Sequence, residues 1–221
     1  MPYVFPRLPW RTVRTTLVAL ALVLACLIGV PEATAATSSQ AKAPIRVTFV
    51  GDSVPASISY VSAAKNQLKH GLAVRLDLKV CRRLVQPSCS YQGSAPSTAL
   101  EAVRSYGRSL GRVLVVKVGY NEGSQGYGAG IDRVMRAALA DGARGVVWVT
   151  LRETSPIYRS TNIEIRKAAK RWPQLLVADW NAFSAGKPWF GSDGLHLSAT
   201  GATQLASFLR PYVFRATSLR A

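Results

Sequence analysis

Three short stretches, far apart in the chain, carry residue types that together could transfer an acyl group. Gly51-Asp52-Ser53 follows the β-branched run 45–50, Gly119-Tyr120-Asn121 follows the apolar run 113–118, and Asp193-Gly194-Leu195-His196 lies near the C-terminus. A serine hydroxyl is a poor nucleophile until a base takes its proton, and histidine is the commonest such base. Asp193 could hold the His196 imidazole in the right tautomer by accepting from its second nitrogen. An Asn121 amide can donate to an oxygen that becomes negative during acyl transfer. The chain holds two histidines. His70 ends a basic helical stretch before Gly71, where it suits the negative end of the helix dipole. His196 sits on a Gly-flanked loop and is the better base. Two of the stretches also have an ordinary reading: Ser53 as a helix cap, Asn121 as a turn residue.

The elements around these stretches decide whether they can meet. Apolar, β-branched runs at 45–50, 113–118, 146–151 and 175–179 read as buried strands, and 74–80 alternates like a half-exposed one. Helical patterns cover 56–70, 131–140, 162–171 (halted by Pro173) and 200–212, and a further helix capped by Ser97 ends before Gly111. Segments 81–96 and 123–130 read as loops. Strands thus alternate with helices about five times, which predicts an α/β fold with a parallel sheet covered on both faces. Sites in such sheets form where loops leave the carboxyl ends of strands. Ser53 and Asn121 stand at such ends.

The N-terminus reads as an address. Arg7, Arg11 and Arg14 precede an apolar run from Leu17 to Val30, and Ala33-Thr34-Ala35 follows. That order describes a secretory signal peptide over 1–35, and its apolar run is short for a bilayer-crossing helix, which needs about 20 residues. An uncleaved anchor is the alternative. A linker is expected over 36–43 and one domain over 44–221, long enough to bury a single core. The expected location is outside the cell or on its wall, with no transmembrane span after processing.

Beyond the leader only Cys81 and Cys89 remain. An oxidising compartment favours a disulfide between them over two thiols. No nearby histidine or further cysteine completes a zinc set, so no metal is expected. The net charge is +17, and removing 1–35 leaves +15. So basic a chain favours anionic surfaces such as acidic wall polymers or lipid head groups. No nucleic-acid recognition motif accompanies the charge.

Gly51-Asp52-Ser53, Gly119-Tyr120-Asn121 and Asp193-Gly194-Leu195-His196 resemble, in order and spacing, the first, third and fifth sequence blocks of the SGNH hydrolases, the GDSL-like lipases and esterases. The resemblance covers 45–212. It implies a flavodoxin-like α/β/α fold of three layers and ester hydrolysis without metal or organic cofactor. It also implies Ser53 as nucleophile, His196 as base, Asp193 as its partner and Asn121 as an oxyanion donor. Two positions depart from the pattern. The second block supplies a glycine whose N–H joins the oxyanion hole, whereas this chain has Val80-Cys81-Arg82-Arg83. Glu122 stands where the family commonly has Asp. The N–H groups of Ser53 and Cys81 would complete the oxyanion hole, and Arg82 and Arg83 could meet an anionic substrate. The expected substrate is an acyl ester, foremost acetylated cell-wall carbohydrate and next a small lipid ester. An acyltransferase of the same fold and a non-catalytic module binding wall glycan or another polyanion are the rival readings.

Overall fold

A computed structural model describes residues 43–123 and 125–219. The expected signal peptide and most of the linker lie outside the described residues. Five strands form one all-parallel sheet: β1 (Ile45–Gly51), β2 (Leu72–Leu78), β3 (Val113–Lys117), β4 (Gly145–Val149) and β5 (Leu175–Ala178), in the order β2-β1-β3-β4-β5. The chain steps from β1 to β2 on one side, then returns past β1 to build the rest on the other. That reversal places the crevice of a doubly wound sheet at the carboxyl ends of β1 and β3.

The helices are α1 (Ser57–Tyr60), α2 (Ser62–Lys69), α3 (Ala99–Tyr106), α4 (Tyr127–Ala140), α5 (Pro156–Arg171), α6 (Trp180–Phe183) and α7 (Ala199–Ala216). Residues of α1, α2 and α7 share one apolar cluster with Val47, Phe49, Val113, Val115, Val147 and Val149. Residues of α3, α4 and α5 share the other with Val50, Leu114, Val116, Val146 and Trp148. Successive strand side chains point to opposite faces, so all-buried strands such as β3 and β4 feed both clusters. Each fully buried Val, Leu, Ile or Phe contributes about 1.5–3 kcal/mol relative to exposure. The result is the three-layer α/β/α arrangement the alternation predicts.

Several element ends differ from the sequence reading. The helix expected over 56–70 is broken by Val61, whose extended backbone (φ −94°, ψ 105°) lets its side chain pack on the core. Thr98, not Ser97, caps α3: its side chain accepts the Glu101 N–H while Glu101 bonds back to the Thr98 N–H. This capping box needs Glu or Gln at the third helical position, which only Thr98 has. A 3-10 turn (Gly107–Leu110) follows α3. α4 starts inside the glycine-rich stretch and α5 starts at Pro156, capped by Ser155. Among the described residues no helix is long and apolar enough to cross a membrane.

Candidate active site

The turn after β1 is built around a buried carboxylate. Asp52 is fully buried and accepts N–H groups from Val54 (3.1 Å), Gly119 (3.0 Å) and Tyr120 (3.2 Å). One side chain therefore ties the Ser53 turn to the loop that carries Asn121. Burial raises the Asp52 carboxyl above its usual value, while Lys117 and the three N–H groups pull the other way. Lys117, also fully buried, donates to the Thr150 carbonyl at 2.9 Å, and burial lowers its ammonium to about 7 against the pull of Asp52. Close packing limits the turn further: a Cβ on Gly51 would lie 2.5 Å from Pro55 and 2.6 Å from Leu78.

Residues 53, 193 and 196, separated in sequence, meet above this turn. His196 Nε2 lies 3.0 Å from Ser53 Oγ, and His196 Nδ1 lies 2.6 Å from Asp193 Oδ2. The other Asp193 oxygen accepts the N–H groups of Leu195 (2.9 Å) and His196 (3.0 Å). The His196 side chain and these N–H groups hold the Asp193 carboxyl down to about 2. A carboxylate that stays ionised and is bonded to Nδ1 leaves Nε2 free to accept a proton from Ser53. This end of the site is open, with the Asp193 and His196 side chains 49% and 50% exposed.

The loop carrying Asp193 and His196 is held from outside itself. Its base is pinched by pairing between Phe190 and Leu197 and by the Gly191 N–H donating to the His196 carbonyl at 2.7 Å. Trp189 stacks on Trp180 at 5.8 Å, alongside Phe183 and Phe208. Arg152, just past β4, donates to the Gly194 carbonyl and lies 3.9 Å over the Phe190 ring. Its backbone N–H donates to the Tyr120 hydroxyl at 2.8 Å. Arg152 carries no signal in the sequence beyond its position past a strand's carboxyl end, and Tyr120 is marked there only as the middle of Gly119-Tyr120-Asn121.

At the ends of β1, β2 and β3 three donors remain unused. Among the described residues the N–H groups of Ser53 and Cys81 have no acceptor, and one Asn121 amide hydrogen is spent on the Arg82 carbonyl (3.2 Å), leaving the other. Cys81 adopts φ +65°, the left-handed region that costs a residue with a Cβ about 1–2 kcal/mol. The backbone shape a glycine favours is therefore kept without the glycine. Cys81 is bonded to Cys89 by a disulfide. Glu122 accepts the Leu84 N–H, and its second oxygen lies 3.9 Å from Arg83 Nε, so it braces the same loop. Burial raises its carboxyl above the usual value, against the pull of Leu84 and Arg83.

Arg82 does not face a substrate, contrary to the expectation from sequence. Its side chain is 1% exposed and lies 2.9 Å from Asp77. It donates to the carbonyls of Asp77 (2.5 Å) and Ser97 (3.0 Å). A buried guanidinium needs such partners, and they leave it no reach toward the crevice. Arg83 stays partly exposed on the same loop. His70 closes α2, and its carbonyl accepts from Arg210. Among the described residues no cluster of three His, Cys, Asp or Glu side chains could hold a metal.

No family model and no curated protein matches this chain. Solved structures do. A carbohydrate acetylesterase family member from Sinorhizobium meliloti matches 79% of this chain over 100% of its own, with 15% identity and a TM-score of 0.59. A candidate arylesterase from Agrobacterium tumefaciens strain C58 matches 79% over 99% of its own, with 15% identity and a TM-score of 0.57. The psychrotrophic esterase EstA from Pseudoalteromonas, in a structure inhibited by monoethylphosphonate, matches 77% over 97% of its own, with 10% identity and a TM-score of 0.57. The likeness is one of fold: this chain shares the three-layer α/β/α architecture of these esterases.

Proposed function

We propose that this chain is a serine hydrolase of carboxylic esters, with Ser53 as nucleophile. His196 Nε2 takes the hydroxyl proton as Ser53 Oγ bonds to the acyl carbon. The carbonyl oxygen becomes negative and is met by Asn121 and the N–H groups of Ser53 and Cys81. Collapse expels the alcohol, which takes the proton from His196 and leaves an acyl-Ser53 ester. Water, deprotonated by His196, then releases the acid and restores the hydroxyl. Asp193 steadies the imidazolium in both halves. No step needs a metal or organic cofactor.

The observation that carries this reading is the unbroken path from Ser53 Oγ to His196 to Asp193, at 3.0 and 2.6 Å. The rival module that only binds a polyanion drew its support from the missing glycine at position 81. The left-handed Cys81, which keeps a glycine-like backbone at that position, supports the hydrolase reading instead.

For substrate, the reading favours an acetyl ester on a cell-wall carbohydrate reached by an exported enzyme. Three observations support it: the signal-like N-terminus, the net charge of +15 left once 1–35 is removed and the open rim at His196. An open rim admits an acyl group hanging from a polymer. The carbohydrate acetylesterase of S. meliloti shares the fold. The test is turnover of a chromogenic acetate ester by the purified protein beside Ser53→Ala and His196→Ala. Loss by both variants, on the order of 10⁴-fold or more with folding retained, is expected. Equal rates in all three proteins would overturn the proposal.

A further inference from the structure

Cys81 is one of two non-glycine residues at positive φ among those described. Its neighbours are fixed by other means. The Lys79 N–H donates to the Gly51 carbonyl at 3.0 Å, the Arg82 N–H to the Lys79 carbonyl at 3.3 Å, and the Asn121 amide to the Arg82 carbonyl. Beyond them the buried Arg82 side chain clamps onto Asp77 and Ser97. Between these anchors residue 81 offers an N–H with no acceptor among the described residues. The orientation of that N–H depends on φ at 81, and a Cβ biases φ toward negative values.

From this we infer that the Cys81–Cys89 disulfide is a positioning device for the reaction. It holds residue 81 left-handed so that its N–H faces the oxyanion, in place of a glycine. The inference rests on the hydrolase reading above. The disulfide is the one covalent restraint on the Cys81 side chain, and its far end, Cys89, lies on an exposed stretch of the following loop. Ser88, next to Cys89, accepts the Arg83 N–H at 3.2 Å, which closes the loop back on the turn. Two successive exchanges with an external dithiol, which leaves as its own cyclic disulfide, reduce the bridge to two thiols and free the Cβ. Residue 81 can then relax to negative φ and turn its N–H away.

The test compares the full chain, Cys81→Ala/Cys89→Ser and Cys81→Gly/Cys89→Ser, each with and without dithiothreitol. The readouts are kcat and KM on a chromogenic acetate ester, affinity for a trifluoromethyl ketone, and far-UV circular dichroism. Glycine tolerates positive φ without a bridge. In the wild type, reductant should lower kcat roughly 10–100-fold, approaching the 10²–10³ expected for losing an oxyanion donor, and the alanine variant should match it. KM should stay within about twofold, and ketone affinity should fall in step with kcat. The glycine variant should regain at least about tenfold of the kcat that the alanine variant loses and ignore reductant, because glycine needs no bridge to hold φ positive. Should the alanine variant fail to fold, the glycine variant decides alone. Full activity in the alanine variant, or equal losses in the glycine and alanine variants, would overturn the inference. Persistent activity in Ser53→Ala would instead overturn the hydrolase reading beneath it.

Discussion

The two halves of the candidate site are supported in opposite ways. Ser53 stands on a turn whose centre is buried: Asp52 takes three backbone N–H groups and donates its own to the Lys117 carbonyl, and Gly51 has no room for a Cβ. Asp193 and His196 stand half exposed on a rim loop, held by an aromatic cluster and by Arg152 reaching across from the end of β4. Damage to the nucleophile's support should therefore appear as lost stability, since it opens the core. Damage to the base's support should appear as lost turnover in a protein that still folds. On the proposed mechanism, a nucleophile gains from a rigid strand end, whereas a base that serves two half-reactions tolerates an open rim.

The largest expected effect tests the rim. Asp193→Asn should lower kcat by on the order of 10⁴-fold, because the amide favours the wrong imidazole tautomer. Its urea midpoint should stay near the wild type's, since the group is exposed; a large fall in stability would dissolve the distinction between the two halves. Next, Asp52→Ala orphans three buried N–H groups, so a loss of about 3–5 kcal/mol in urea unfolding is expected. A wild-type midpoint would show that the turn is held by something else. Arg152→Ala should leave stability within about 1 kcal/mol yet lower kcat roughly 10–100-fold by loosening the Gly194 carbonyl, as small misplacements in a site do. A change confined to KM would assign Arg152 to substrate instead.

The smallest effect is a pH slope. Lys117 is lowered to about 7 in the folded chain against 10.5 as a free side chain. Between those values the unfolded chain holds the proton and the folded one does not, so stability should rise with pH, by at most about 1.4 kcal/mol per unit. Urea midpoints from pH 7.5 to 9.5 should climb in the wild type and flatten in Lys117→Met. Parallel slopes in both would place the titration elsewhere.

The sheet was legible because its strands are short runs of β-branched and apolar residues buried on both sides, and period and length alone mark them. Helix starts were less so. The glycine-rich stretch before Ile131 looks like a loop, yet Gly128 and Gly130 lie inside α4, where a Cβ on Gly130 would meet Leu84 at 3.0 Å and Val85 at 3.2 Å. There glycine serves close packing. Ser53, Asn121, Asp193 and His196 could be singled out because their types and strand-end positions suggest chemistry. Arg82 misled because its partners are Asp77 on β2, which also accepts from Tyr106 of α3, and the Ser97 carbonyl, and local sequence carries no trace of that meeting. Arg152 was invisible because its partner is a backbone carbonyl on a distant loop.

The central claim is that the hydroxyl at 53 is made nucleophilic by the imidazole at 196. Treatment of the protein with a fluorophosphonate, followed by peptide mass spectrometry, tests it directly. The account predicts one covalent adduct, on Ser53, forming fast in the wild type and at least about 10³-fold more slowly in His196→Ala. Adducts spread over other hydroxyls, or an equal rate at Ser53 without His196, would contradict it.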